Sequence, residues 1–170
     1  MPPFWRDALP DLRLAYDDVC AYLGMRIHPA TGAATVDHFE PRSRNTAGAY
    51  EWTNFRLAVA RVNSLKGEHQ VHDPFTIEPG WFVLDIGTFE VKPADGLDAA
   101  LRAGLCETIR HLGLNEVTFC QARERYHDDY LGLGDREPLP LEWLQRECPF
   151  VAAELARQGR LRGRDGAAEV

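Results

Sequence analysis

The chain has 170 residues, of which 45% are hydrophobic and 26% are charged, and this composition excludes a disordered or collagen-like protein. The length predicts one compact domain, because it supports one hydrophobic core and is too short for two independent ones. The formal net charge of −7 argues against a nucleic-acid partner, whose phosphates an acidic protein repels. The excess of negative charge, however, lies in residues 73–170, which contain 11 basic and 18 acidic side chains. Residues 41–66 are locally positive, with five basic side chains and one acidic one.

The apolar segments are too short for a transmembrane helix, and the first residues lack the basic and then apolar layout of a signal peptide. We therefore expect a soluble, cytoplasmic protein with no membrane partner. The four cysteines, Cys20, Cys106, Cys120 and Cys148, include no C-x-x-C pair. This spacing predicts reduced thiols rather than a disulfide framework or an intact zinc ribbon.

The hydrophobic pattern of the first half predicts a helix and then a ββα unit. Residues 11–23 have the apolar spacing of an amphipathic helix. A β-branched run at 35–39 and a second run at 54–58 predict two short strands, and residues 59–66 predict a helix that Gly67 ends. The fold class that we expect is therefore α+β.

The second half predicts a small β meander followed by helices. The expected strands lie at 75–77, 81–86 and 89–91, and the expected amphipathic helices at 97–112, 115–131 and 140–155. We expect residues 159–170 to form a flexible tail.

The residues that suggest chemistry are Asp37, His38, Asn54, Asn63 and Lys66. Hydrolysis of a phosphodiester requires a divalent cation, a base for the attacking water and cationic groups for the backbone. The Asp37 carboxylate and the Asn63 amide are oxygen ligands suited to Mg²⁺, and His38 is suited to be a general base at neutral pH.

The remaining residues of this group have supporting tasks. Asn54 follows His38 after a loop of 15 residues, and its amide can bond the backbone of that loop. Lys66 lies three residues after Asn63, on the same helix face, where it can contact a phosphate. The alternative explanation for Lys66 is that the helix dipole favours a cation near the C-terminus of a helix. Further candidates for phosphate contacts are Arg42, Arg44, Arg56 and Arg61, unless they are ordinary surface charges.

The pattern Asp37-His38, Asn54 and Asn63-x-x-Lys66 resembles the HNH endonuclease (ββα-metal) motif in its His–Asn–Asn form, over roughly residues 20–67. Weaker similarity at 73–75 and 112–115 resembles a bacterial HNH group encoded beside ATPases in anti-phage systems, including Septu-like and retron-associated ones. The resemblance implies a ββα-metal core at about 35–67 and an accessory helical part at about 95–158, within one nuclease domain of residues 1–158.

The same resemblance implies DNA cleavage with one Mg²⁺ or Mn²⁺ held by Asp37 and Asn63. It implies that His38 is the general base and that Lys66 contacts a phosphate. Asn54 is implied to belong to the catalytic set as the residue that fixes the loop. DNA is the implied partner, with an ATPase subunit of a defence complex as a further one.

Relatives carry a structural zinc on two C-x-x-C pairs, and the matching positions are Cys20, Leu23, Val59 and Val62. Three of the four thiolates are replaced by apolar side chains, so we expect no structural zinc and an apolar contact in its place. Two alternatives remain open: a non-catalytic module that keeps the HNH shape to bind DNA or a partner, and a nuclease that is active only with its partner.

Overall fold

A computed structural model describes residues 4–28 and 32–162 and shows a mixed α+β protein. Its helices and strands are α1 (Leu9–Ala15), β1 (Ala34–His38), β2 (Phe55–Val59), α2 (Ala60–Lys66), β3 (Phe82–Leu84), β4 (Val91–Pro93), α3 (Ala99–Leu112), α4 (Val117–Leu131), α5 (Leu141–Glu147) and α6 (Pro149–Arg157). Short 3-10 helices lie at Phe4–Ala8, Ala47–Tyr50, Trp52–Asn54 and Pro74–Thr76. The expected α+β class is confirmed at this level.

The two strands and the helix predicted for the first half are present, with boundaries that differ by one residue. Strands β1 and β2 pair antiparallel, in a register that runs from Ala34 opposite Val59 to His38 opposite Phe55. Helix α2 follows β2 without a loop and ends at Gly67, whose φ of +48° favours glycine. The loop between β1 and β2 therefore brings the end of β1 beside the start of β2.

The first helix is shorter than the predicted helix at 11–23, and this prediction is wrong beyond α1. Asp17 and Asp18 adopt positive φ angles of 49° and 59°, which end the helical path. A turn follows, in which Cys20 N donates to Met25 O over 2.9 Å. The buried apolar residues Cys20 and Leu23 therefore belong to a tight turn and not to a helix.

Two predictions for the second half are also wrong in part. Residues 74–76 form a 3-10 helix capped by the Asp73 side chain rather than a strand, so the meander reduces to the β3–β4 hairpin. The helix predicted at 140–155 is divided at Cys148, because Pro149 cannot donate a backbone hydrogen bond and begins a new helix. Helices α3 and α4 lie within two residues of their predicted starts.

One cluster of buried apolar side chains joins the β1–β2–α2 unit to the helices of the second half. It includes Leu57 and Val62 from the unit, and Leu112, Leu144 and Val151 from α3, α5 and α6. Within residues 4–28 and 32–162, no helix has the length and apolar character required to cross a lipid bilayer. Most of the tail predicted at 159–170 lies outside the described residues.

Candidate functional site

The Asp37 carboxylate, at the end of β1, is buried and accepts hydrogen bonds on both oxygens. Lys66 Nζ donates to Asp37 Oδ1 over 3.1 Å, and the Tyr22 hydroxyl donates to Asp37 Oδ2. Asp37 is 3% exposed and Lys66 is 0% exposed, so the ion pair is shielded from water. A second bond, from Lys66 Nζ to His38 O over 2.8 Å, ties the last turn of α2 to the end of β1.

Tyr22 belongs to this site, although the motif analysis did not single it out. Burial raises the pKa of the Tyr22 hydroxyl, and the nearby negative charge of Asp37 raises it further. The hydroxyl therefore remains protonated and acts as the donor to Asp37. Because Tyr22 lies in the turn that replaces the predicted helix, its approach to Asp37 depends on the tertiary fold.

The His38 imidazole is oriented by the loop between the strands. Its Nε2 atom lies 3.0 Å from Ala49 O, and because a carbonyl oxygen can only accept, Nε2 carries the proton of this bond. In the neutral ring the lone pair is therefore on Nδ1. The ring also packs edge-on against Phe55, with 5.3 Å between centroids.

Burial lowers the pKa of His38 below its usual value of 6.5. The hydrogen bond to Ala49 O and the charge of Asp37 oppose this shift, whereas the positive charges of Arg42 and Lys66 contribute to it. The lowered pKa favours a neutral imidazole at neutral pH, which is the state that a general base requires.

Asn54 uses its whole side-chain amide to hold the loop. Its Oδ1 accepts from Glu40 N over 2.7 Å, and its Nδ2 donates to Glu40 O and Gly48 O, each over 3.1 Å. Asn54 is 8% exposed, so these bonds form away from solvent. The loop that carries Ala49 O is thus fixed next to His38, as the sequence predicted for Asn54.

Asn63 connects α2 to β1 through its Nδ2 atom. This atom donates to Thr35 Oγ1 over 3.1 Å and to Val36 O over 3.3 Å. Within the described part of the chain, Asn63 Oδ1 accepts no hydrogen bond. The amide nitrogen therefore holds the helix against the strand, and the amide oxygen retains its capacity as an acceptor or ligand.

The basic residues proposed for phosphate contacts have different environments. Arg56 is 2% exposed, donates to both oxygens of Asp73 over 3.1 and 2.7 Å, and lies over the Phe75 ring. Arg61 is exposed but pairs with Glu116 over 2.6 Å. Buried Arg56 and buried Lys66 thus present no surface to a phosphate in this structure, because each is held inside by a carboxylate.

Arg42 and Arg44 are exposed in the loop between β1 and β2. They follow Pro41, close in sequence to His38. Together with Arg61, they are the exposed members of the predicted phosphate-binding set.

The side-chain oxygens of Asp37, on β1, and Asn63, on α2, are chemically suited to a hard divalent cation. The Asp37 carboxylate and the Asn63 amide oxygen are the ligand types that Mg²⁺ prefers, and a carboxylate has lone pairs beyond those that accept from Tyr22 and Lys66. The Lys66 ammonium already provides a positive charge at Asp37 Oδ1. Among residues 4–28 and 32–162, no three His, Cys, Asp or Glu side chains cluster as metal ligands, so a cation here would rely on a single carboxylate and an amide.

The positions that match the zinc cysteines lie together in the core. Cys20 is 1% exposed, and it belongs with Leu23 and Val62 to the main apolar cluster, against which Val59 packs. The four positions thus share one apolar cluster, and Cys20 and Leu23 occupy a turn after α1 rather than the predicted helix.

No protein-family model matches the chain, and no curated protein matches it significantly. The functional assignment therefore depends on the residues at the end of β1 and on α2, and on how the fold arranges them.

Proposed function

We propose that this protein is a metal-dependent endonuclease of the HNH type, which hydrolyses phosphodiester bonds of DNA. The observation that carries the proposal is the placement of His38 beside Asp37 at the end of β1, with Nε2 donating to Ala49 O. The β1–β2–α2 order and the position of Asn63 on α2 support it, because this unit supplies a base and two oxygen ligands from adjacent elements.

His38 is the proposed general base. Because its Nε2 proton is engaged by Ala49 O, the proton of an attacking water goes to Nδ1. The lowered pKa of His38 maintains the neutral ring that accepts this proton. Asn54 is a positioning residue, since it holds the loop that fixes the imidazole.

Asp37 and Asn63 are the residues that would hold the divalent cation, Mg²⁺ or Mn²⁺. When bound, such a cation supplies positive charge for the phosphate and for the departing oxygen. Lys66 already neutralises Asp37, so occupation of the site competes with the Lys66 ammonium for Asp37 Oδ1. Exposed Arg42 and Arg44 are the proposed contacts to the DNA backbone.

The biological setting is part of the same proposal and rests on the family resemblance. We propose a nuclease subunit of a bacterial anti-phage system, acting in the cytoplasm beside an ATPase subunit. The acidic second half is the proposed docking surface for that partner, because its excess charge disfavours contact with DNA.

The test is cleavage of plasmid DNA by the purified protein with Mg²⁺ or Mn²⁺, compared with His38→Ala. We expect the substitution to reduce the rate by about 10²–10⁴-fold, the usual contribution of a general base. His111→Ala is the matched control, because burial lowers the pKa of His111 as well, yet this residue lies on α3, outside the site. Equal cleavage by wild type and His38→Ala would contradict the assignment.

A non-catalytic binding module is the second candidate, and the engagement of both Asp37 oxygens by Tyr22 and Lys66 favours it. In that case the polar cluster only stabilises the fold. A calorimetric titration with Mn²⁺ separates the two functions. A nuclease binds the ion at one site that is lost in Asp37→Asn, whereas a module binds it equally in both proteins or not at all.

A further inference from the structure

An aromatic hollow opens on the surface beside the proposed nuclease site. Its volume is about 350 Å³, which lies within the range of pockets that hold small organic groups. The residues that line it include Leu12, Tyr16, Trp52, Thr53, Phe55 and Phe75. Among the described residues, none that lines the aromatic hollow carries a charge. The aromatic hollow therefore suits an uncharged planar group.

Two of the rings in the aromatic hollow are accessible to solvent. Trp52 is 48% exposed and Phe75 is 67% exposed. Tyr16 packs against Phe75 with 6.0 Å between ring centroids, and the Arg56 guanidinium covers the Phe75 ring at 4.3 Å from its centroid. Exposed aromatic rings that share one hollow are typical of a binding surface, whereas single exposed apolar side chains are ordinary.

Phe55 connects the aromatic hollow to the proposed general base. Its ring packs against His38, with 5.3 Å between centroids, and against Trp52, with 6.4 Å. Burial lowers the pKa of His38 and the positive charge of Arg42 contributes to this shift, so Arg42 lies near the imidazole. A nucleic acid with a phosphate at Arg42 and His38 can therefore place a neighbouring base in the aromatic hollow.

The acidic neighbours of the lining residues disfavour a phosphate in the aromatic hollow itself. The Asp73 carboxylate is paired with Arg56 over 2.7 Å, but Glu51, next to Trp52 in the chain, is exposed. An exposed carboxylate repels a phosphate and does not repel an uncharged base. The region thus has a cationic part for the nucleic-acid backbone, at Arg42, and an aromatic part for a base.

We propose that an unpaired base of the substrate stacks on Trp52 and Phe75, so that the protein prefers DNA with unpaired nucleotides beside the cleaved bond. This substrate class rests on the nuclease function proposed above. In an intact duplex, a base must be unpaired and unstacked before it can enter the hollow, which costs free energy. A single strand or an internal loop avoids this cost, and stacking on aromatic rings is tolerant of base sequence.

The probe is a fluorescein-labelled oligothymidylate, and the matched control is an abasic oligomer of the same length, which has the phosphates without the bases. Anisotropy is measured on the full chain at low salt with EDTA, so that no strand is cut. We expect the oligothymidylate to bind at least about fivefold more tightly, the contribution of one stacked base. Equal binding of the two oligomers overturns the proposal and favours a protein partner for the aromatic hollow.

Three variants locate the base. Trp52→Ala is expected to reduce oligothymidylate affinity at least about fivefold and to leave abasic binding unchanged, whereas Trp52→Phe retains a ring and the preference. Leu133→Ala is the control, because Leu133 is also 48% exposed but follows α4, and it is expected to bind as wild type. An undiminished base preference in Trp52→Ala refutes the assignment. If that variant does not fold, Phe75→Ala decides in the same way.

Cleavage with Mn²⁺ separates this proposal from the nuclease proposal. A duplex with an internal loop of unpaired thymidines is expected to be cut faster than the same duplex fully paired, and Trp52→Ala should remove the difference. Equal rates in wild type overturn the proposed substrate class and leave the nuclease function standing. If wild type prefers the oligothymidylate but cuts no DNA, the nuclease function is wrong and the aromatic hollow remains a base-binding site.

Discussion

Replacement of Lys66 by methionine tests the buried pair at the centre of the site. In wild type, Lys66 Nζ donates to Asp37 Oδ1 and to His38 O over 3.1 and 2.8 Å, with both charged side chains shielded from water. Methionine fills a similar volume without charge. The variant leaves Asp37 buried with the Tyr22 hydroxyl as its donor in the described chain.

We expect Lys66→Met to lower the free energy of unfolding by about 3–5 kcal/mol, the cost of removing one partner from a buried ion pair. Domains of this kind are stable by roughly 5–15 kcal/mol, so the loss is a large part of the total. Lys92→Met is the control, because Lys92 pairs with Asp85 over a similar 3.0 Å but is 57% exposed. That pair is expected to contribute at most about 1 kcal/mol.

The assay is urea unfolding followed by tryptophan fluorescence, for wild type, both single variants and the double variant Lys66→Met with Asp37→Leu. The double variant should recover most of the lost stability, because it contains no uncompensated charge. Addition of Mn²⁺ should stabilise Lys66→Met more than wild type, since a cation then replaces the missing ammonium. If Lys66→Met lowers the free energy of unfolding by no more than Lys92→Met does, the buried-pair interpretation is refuted.

Three further predictions concern the loop and the imidazole. Burial lowers the pKa of His38 below 6.5, so the imidazole binds a proton more readily in the unfolded chain than in the folded one. The free energy of unfolding should therefore fall as the pH is lowered from about 7 to about 5. Urea unfolding at each pH checks this, and the fall should be smaller in His38→Gln. Asn54→Ala should cost about 2–3 kcal/mol, because it orphans Glu40 N and the carbonyls of Glu40 and Gly48, and limited proteolysis should then cut the loop faster. Arg44→Glu should weaken binding to duplex DNA in fluorescence anisotropy and lower the salt slope by about 1, whereas an unchanged slope would exclude a phosphate contact.

Local signals in the sequence are sufficient to predict much of the fold. The β-branched run before Pro41 marks β1, and Gly67 marks the end of α2. Helix α3 is bounded by Asp98, whose side chain accepts from Ala100 N and Leu101 N, and by Gly113 in the left-handed region. Each of these boundaries depends on residues that are neighbours in the chain, so a pattern can reveal it.

The breaks in helices were harder to predict, for two different reasons. Pro149 is a helix-breaking residue in the sequence, but the amphipathic spacing continues across 140–155 and therefore predicts one helix instead of two. By contrast, Asp17 and Asp18 leave the helical region without glycine or proline, because the turn that follows buries Cys20 in the core. Tertiary packing overrides local preference at that point.

For the site, the sequence predicts which residues meet but not what each one contacts. Asn54 bonds the loop as its position suggested, whereas Lys66, for which the sequence predicts a phosphate contact, pairs with Asp37, 29 positions earlier. Arg56 likewise pairs with Asp73. Burial decides between a phosphate and a carboxylate as the partner of a cation, and burial at these two positions results from packing between distant elements.

The short helix α2 makes the structural role and the proposed catalytic role of this site interdependent. Asn63 donates to the backbone of β1, and Lys66, one turn later, donates to Asp37, so a shift of the helix alters both contacts together. If a divalent cation takes the place of Lys66 at Asp37 Oδ1, as we propose, the Lys66 ammonium must leave a site with no exposed surface. Because that step costs free energy, we expect the isolated chain to bind Mg²⁺ or Mn²⁺ weakly, and a partner or DNA that stabilises the displaced lysine to increase the affinity.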